Sequence, residues 1–228
     1  MDMTQENQVS TTMTTPARRQ YLRIKGEHQD AILLFRMGDF YETFDDDAKT
    51  ISRELEIALT SREMGKQQRV ALAGIPYHAL DTYLPKLIRK GYKVAICEQT
   101  SDPATSRGLV ERQVVQIVTP GTVIETSALE QNANNYLASV VVEGQNAGFA
   151  YVDITTNEFV ATQLTDVQLT VELARVSPAE ILIPDGHDQP LVWQDATISP
   201  VDEDAFQLEW ARETLTKHFK TTSLEAYG

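Results

Sequence analysis

Three apolar runs follow one another between residues 136 and 164 with almost nothing between them. Tyr136–Val142, Ala147–Ile154 and Glu158–Leu164 are separated only by Glu143–Asn146 and Thr155–Asn157. Turns that short cannot carry a crossover, which takes a dozen or more residues, so the runs are expected as an antiparallel meander. The pattern then changes. Asp166–Arg175 reads as a helix, Glu180–Ile183 as a strand ended by Pro184-Asp185-Gly186, and Trp193–Ile198 as one more strand. From Asp202 an amphipathic helix is expected, with Phe206 and Trp210 on one side.

A hairpin meander followed by alternating helix and strand is the order of a ribonuclease-H-like fold. The chain stops at Gly228, soon after the last helix and with no obvious closing strand, so this domain is expected to be incomplete. Upstream lies a different mixture. Thr15-Pro16 reads as a hydroxyl N-cap followed by proline at the first helical position, where its missing N–H costs nothing. Ala17, Tyr21 and Ile24 share a face of that helix, and Arg18, Arg19, Arg23 and Lys25 are expected to leave it an exposed basic side. Ala31–Phe35 suits a buried strand. Asp45-Asp46-Asp47 opens a second helix with acids at the positive end of its dipole, and Ala48, Ile51 and Leu55 form its buried stripe.

A third helix carries Leu80, Tyr83, Leu84, Leu87 and Ile88 on one face, with Gly91 as a left-handed stop. Pro85 within it predicts a kink. Strands are expected at Lys93–Cys97 and Val114–Val118, with a turn-rich Thr100–Gly108 between them. Strands alternating with helices indicate a mixed α/β domain. The hydrophobic pattern lapses from Thr122 to Asn135. The expected organisation is therefore a loose polar tail over 1–14, an α/β domain over 15–125, a linker over 126–135, and the incomplete second domain over 136–228.

Charge divides along the same line. Residues 1–130 carry 16 Lys and Arg against 18 Asp and Glu; residues 131–228 carry 4 against 15. The net charge of −13 is thus split as −2 and −11, and a phosphate-contacting surface is better sought in the first part. No apolar run approaches the length that crosses a bilayer, and the N-terminal tail lacks the apolar core of a signal peptide. A single cysteine, Cys97, rules out an internal disulfide and fits a reducing, cytoplasmic setting; in a strand it reads as a small buried residue.

The stretch richest in chemistry is Phe35-Arg36-Met37-Gly38-Asp39-Phe40-Tyr41-Glu42. Extended chain puts Phe40 and Glu42 on the same side. An aromatic ring can wedge into a base step, at an unstacking cost of roughly a few kcal/mol that is lowest where pairing is already defective. A carboxylate cannot bind phosphate but can hydrogen-bond a base edge, and Gly38 lets backbone approach closely. On the residues alone, Phe40 and Tyr41 as ordinary core aromatics is the simpler reading. Arg62, Lys66 and Arg69 lie in a polar stretch, Ser61–Arg69, that reads as a loop; they are phosphate contacts or solvated surface charges.

The same stretch, continued by Phe44 and Asp46-Asp47-Ala48, resembles the MutS family of DNA mismatch-repair proteins. So do Ala73-Gly74-Ile75-Pro76-Tyr77-His78-Ala79, Val94-Ala95-Ile96-Cys97-Glu98-Gln99, Asp102-Pro103-Ala104 and Val115–Thr122. These blocks stand in the family's order over about residues 15–125; Ala150–Thr156 carries a sparser likeness in the second half. The resemblance implies a mixed α/β mismatch-binding domain followed by a ribonuclease-H-like connector domain. It implies Phe40 as the stacking wedge at a mispair and Glu42 as the carboxylate that hydrogen-bonds the displaced base. Arg36, Met37, Gly38 and Asp39 would lie along the adjacent DNA backbone. The implied partners are mismatched duplex DNA, a second copy of the full-length protein, and other mismatch-repair proteins through the connector domain.

Two other functions compete. Ribonuclease-H-like folds often gather carboxylates around two metal ions, and Asp153, Glu158, Glu172 and Asp185 are available for a metal-dependent nuclease. Against it, the Tyr136–Val142 strand carries no acid, and Asp153 beside Thr155-Thr156 is placed to fix a turn. The acidic second domain also suits docking of a basic protein surface. His28, His78, His187 and His218 have no metal-ligand spacing, and no cofactor is expected in this chain. No phosphate-loop motif is present: Gly65-Lys66 lacks the first glycine and the hydroxyl. ATP and magnesium are expected only of the full-length protein, whose ATPase would lie downstream, so the chain is read as no enzyme by itself.

Overall fold

The computed structural model describes residues 14–65, 69–100, 109–123, 134–186 and 196–227. It divides into two compact units, Met1–Gln131 and Asn132–Gly228. Residues 1–13 of the expected tail and most of the linker over 126–135 fall outside the described residues, as do 101–108 of the turn-rich segment and 193–195 of the last expected strand.

In the first unit, α1 (Pro16–Glu27) starts where the hydroxyl and proline predict, with the Thr15 side chain accepting from the Arg18 N–H at 3.3 Å. The strands that follow form one mixed sheet. They are β1 (Ile32–Met37), β2 (Phe40–Phe44), β3 (Thr60–Glu63), β4 (Arg69–Pro76), β5 (Val94–Gln99) and β6 (Arg112–Val118), in the order β3-β4-β2-β1-β5-β6. Only β1 and β5 run parallel; the other pairs are antiparallel. Helices α2 (Asp45–Leu55) and α3 (Leu80–Ile88) complete the unit.

The alternation of strand side chains builds two cores back to back. Leu33, Phe35, Phe44, Ala95 and Cys97 pack with Tyr21 and Ile24 of α1. Ile32, Leu34, Tyr41, Ile75 and Ile96 pack with Ala48, Ile51 and Leu55 of α2 and with Leu84, Leu87 and Ile88 of α3. β1 is covered on both faces, which is why its sequence reads as an unbroken apolar run.

Two expectations need correction here. The basic side of α1 turns partly inward: Arg18 is buried and paired with Asp45, and Lys25 binds Asp47 at 2.9 Å and the Ala31 carbonyl at 2.7 Å. The acids that open α2 attract these cations, so the two helices are tied together by charge. The polar stretch Ser61–Arg69 is not simply a loop, because Thr60–Glu63 pairs with Arg69–Leu72 as a hairpin. β3 is an edge strand exposed at every residue, and with no buried face it carries no hydrophobic alternation to read. Pro85 lies inside its helix, as the sequence places it, and α3 runs through it to Ile88. The carbonyl it deprives of a partner is that of Asp81, in an exposed first turn where solvent reaches it. Gly91, at φ 81°, closes this segment as expected.

The second unit has β7 (Tyr136–Glu143), β8 (Asn146–Asp153) and β9 (Glu158–Thr165) as an antiparallel meander, then α4 (Asp166–Val176), β10 (Glu180–Pro184), β11 (Thr197–Val201) and α5 (Leu208–Phe219). The strand order is β11-β10-β7-β8-β9, with β10 parallel to β7 and β11 parallel to β10. This is the ribonuclease-H-like arrangement that the meander and the helix–strand alternation predict. Thr165 and Gln168 form a reciprocal capping box at the start of α4, which packs Leu169, Leu173 and Val176 on Ala138, Val140, Phe149 and Ile181. The helix expected from Asp202 begins instead as a 3-10 turn, Glu203–Phe206, and becomes α-helical at Leu208.

Candidate nucleic-acid interface

β1 and β2 are joined by two residues, Gly38 and Asp39, between the paired residues Met37 and Phe40. Gly38 has φ 59°, the conformation that the first position of a tight II′ hairpin turn requires, while Asp39 keeps an ordinary negative φ. Phe40 therefore stands at the tip of a hairpin, 46% exposed. Strand alternation sends Tyr41 into the core beneath α2 and α3 and returns Glu42 to the face of Phe40. Met37 shares that face and is half-buried; Gly38 and Asp39 are exposed at the tip.

Several contacts stiffen this hairpin. Arg36 lies on the opposite face from Phe40, with its guanidinium 3.8 Å from the centre of the Tyr77 ring and its Nε donating to the Gly38 carbonyl at 2.5 Å. The same guanidinium pairs with Glu98 at 3.7 Å, and Glu98 accepts a short hydrogen bond from the Tyr41 hydroxyl. Burial, and then Glu98, push the Tyr41 hydroxyl up to about 12, so it stays protonated and donates. The Tyr77 N–H reaches the Asp39 carbonyl at 2.9 Å. Arg36 is thus a brace behind the tip, facing away from the side that Phe40 presents.

Arg112, which sequence reasoning missed, supports the other side. It is buried, its guanidinium lies 4.8 Å from the Phe35 ring centre, and it donates to Gln20, to the Val110 carbonyl and to the Arg36 carbonyl. Burial lowers its pKa, and the Glu42 carboxylate opposes that fall. A lone arginine at the start of an apolar strand gave no signal, since two of its three acceptors, Gln20 and Arg36, come from distant stretches of chain.

Glu42 faces a cleft of about 320 Å³ lined by Phe40, Ala58, Thr60, Arg62, Leu72, Ala73 and Gly74. Its carboxylate is largely buried and bound by Arg62, Nη1 to Oε2 at 2.6 Å. The β2–β4 register places Gly74 opposite Glu42. A Cβ there would lie 2.8 Å from the Tyr41 carbonyl oxygen and 3.6 Å from Glu42 Cγ, so only glycine leaves this wall open. A glycine inside a strand was the available signal for a close approach.

The structure thus brings Phe40, Glu42 and Arg62 to one cleft and separates Arg36 from it. Arg69 is exposed and opposite Glu63 in the hairpin register; Lys66 lies outside the described residues. In the second unit the four candidate carboxylates are otherwise engaged. Asp153 is fully buried and accepts from the Thr155 N–H and hydroxyl at 2.8 and 2.6 Å, from the Thr156 N–H at 3.3 Å and from the Asn135 N–H at 3.2 Å. Burial alone would raise its pKa, but these bonds hold it below the usual aspartate value. Glu158 accepts from Tyr136, Glu172 pairs with Arg175, and Asp185 accepts from the Gly186 N–H within its turn. Among the described residues no three His, Cys, Asp or Glu side chains form a possible metal site. Cys97 is buried, and its thiol is pushed up to about 12 by that burial, which suits a packing residue. Among the described residues no helix is long and apolar enough to cross a membrane.

Comparison with known proteins adds an independent finding. Residues 15–127 match the family model for MutS domain I, and residues 135–228 match that for MutS domain II. The DNA mismatch repair protein MutS of Dehalococcoides mccartyi strain CBDB1 is 53% identical over 216 residues, covering 94% of this chain and 25% of the relative. The proteins of that name from Thermosynechococcus vestitus and Methanosarcina acetivorans are each 45% identical, over 242 and 239 residues, covering 97% and 96% of this chain and 27% of each relative. The chain spans about a quarter of the length of these relatives.

Proposed function

Because the chain belongs to the MutS family of DNA mismatch-repair proteins, we propose that its first domain recognises mispaired or unpaired bases in duplex DNA by inserting Phe40 and hydrogen-bonding the displaced base through Glu42. The observation that carries this reading is an exposed aromatic ring at the tip of a braced two-residue hairpin, with a carboxylate on the same face. A large ring left in water at a rigid tip contributes little to the fold. It is already placed to enter a base step, so little ordering is lost on insertion. The unstacking cost, roughly a few kcal/mol per step, is least where pairing is defective.

Glu42 supplies discrimination. A carboxylate gains nothing from a phosphate, and it repels every duplex alike; the hydrogen bond to a displaced base edge compensates only at a defect. Met37, Gly38 and Asp39 at the tip, and Arg69 at the edge, are the remaining candidates for the adjacent DNA backbone. The full-length protein acts as a dimer on mismatched DNA and uses ATP with Mg²⁺ through residues beyond these two domains, in the cytoplasm. The acidic second domain serves as a connector and a docking face for other repair proteins. Its buried, turn-fixing Asp153 favours this reading over a nuclease.

The test is equilibrium binding of a full-length family protein carrying this chain to duplexes with and without one G·T mispair. Phe40→Ala is expected to abolish the preference for the mispair. Glu42→Ala is expected to raise affinity for the matched duplex more than for the mismatched one. Preference retained without the ring would make Phe40 a surface aromatic with no part in recognition.

A further inference from the structure

Resting on the reading of Phe40 and Glu42 above, we infer that Arg62 is a cation masked by Glu42 in the free protein and released to a DNA phosphate only when Glu42 turns to a displaced base. Three observations carry this. First, the two side chains are bonded at 2.6 Å through Glu42 Oε2, so one of the two oxygens meant for a base edge is already engaged. A base that takes Oε2 displaces the arginine or shares that oxygen with it. Second, the partners differ in burial: the Glu42 side chain is 11% exposed and that of Arg62 is 43% exposed. The arginine has the shorter path to solvent, and to any phosphate lying along the cleft. Third, Arg62 reaches Glu42 diagonally across β4 from an edge strand whose residues are all exposed, over a wall that Gly74 leaves open.

The electrostatics follow. On a matched duplex the pair stays closed, so the carboxylate's repulsion is only partly offset and the cation contributes no phosphate contact. At a mispair the pair opens, and one object recognised yields two new contacts, the base edge and a phosphate. Mismatch binding should therefore release about one more counterion than matched binding, and each phosphate neutralised contributes a salt slope of about −0.9 in log affinity against log salt. Between 50 and 200 mM salt one such contact weakens affinity by about threefold more.

The experiment is a salt titration of binding to matched and G·T duplexes by a full-length family protein carrying this chain, with the wild type, Glu42→Gln, Arg62→Gln and both changes together. The wild-type slope is expected to be steeper on the mismatched duplex by about one contact, and Arg62→Gln is expected to remove that difference. Glu42→Gln should strengthen and steepen binding to the matched duplex, because the arginine is freed. In the Arg62→Gln background the same change should do neither. The double variant places two neutral amides side by side and serves if Arg62→Gln alone, which strands a buried carboxylate, does not fold. An Arg62→Gln change that lowers both slopes equally would overturn the masking, as would a Glu42→Gln gain that survives without the arginine. Phe40→Ala run in parallel separates the two levels. Preference kept without the ring defeats the recognition reading, whereas preference lost with unchanged slopes defeats the masking alone.

Discussion

At the scale of single residues, the site depends on what is missing as much as on what is present. Gly74 holds open the wall between Glu42 and Arg62, and a methyl group there would press on the Tyr41 carbonyl oxygen at 2.8 Å. Because that neighbour is backbone in the middle of a sheet, it cannot swing aside. Gly74→Ala is expected to destabilise the first domain by about 2 kcal/mol, within the range for overpacked cores, read as a shift in its denaturant midpoint. An unchanged midpoint would mean that the sheet yields at no cost. Phe40 and Glu42 were legible in the sequence because strand alternation puts them on one side, and the family resemblance supplies their roles. The engagement of Glu42 by Arg62 was not legible. The two lie twenty residues apart on non-adjacent strands, and the edge strand that carries Arg62 has no buried face to betray it.

At the scale of elements, the β1–β2 hairpin is a rigid finger because its back is braced. Arg36 ties the Gly38 carbonyl, the Tyr77 ring and Glu98 together. A stacked, partly buried guanidinium is worth about 1–2 kcal/mol. Arg36→Ala should therefore speed hydrogen exchange of the hairpin-tip amides about tenfold, while amides of the central strands keep their protection. Uniform acceleration across the domain would instead mark Arg36 as a general stabiliser. The family resemblance implies Arg36 along the adjacent DNA backbone, with Met37, Gly38 and Asp39; it stands two residues before Gly38. The parity of the strand sends it to the other face.

The β8–β9 turn is the corresponding element of the second domain. Asp153 accepts four hydrogen bonds there, a role its neighbours Thr155 and Thr156 foretold. Its pKa is lowered in the folded state. The stabilisation it gives is thus complete above the unfolded aspartate value and fades as pH falls through the lower folded one. Asp153→Asn turns one acceptor oxygen into a donor facing N–H groups, so it should cost about 2 kcal/mol at neutral pH and less in acid, by thermal or denaturant unfolding at both pH values. An equal loss at both would remove the carboxylate's charge from the explanation.

At the scale of the whole chain, the two domains differ in charge. The first is nearly neutral overall and holds most of the cations; the second carries nearly all of the net −13. The meander, the helix–strand alternation and the α/β mixture were legible because each has a distinct hydrophobic period. The helix faces were legible for the same reason. What pattern could not supply were contacts between distant polar residues: the inward turn of Arg18, the buried Arg112, and the masking pair. The central claim is that Phe40 acts as a wedge, and a wedge has a mechanical consequence, since an inserted side chain kinks the duplex by some 20–90°. The direct measurement is energy transfer between dyes at the two ends of a short G·T duplex saturated with a full-length family protein carrying this chain. Wild type should shorten the end-to-end distance on the mismatched duplex and not on the matched one, and Phe40→Ala, at saturation, should leave both straight. An equal kink with and without the Phe40 ring would contradict the claim.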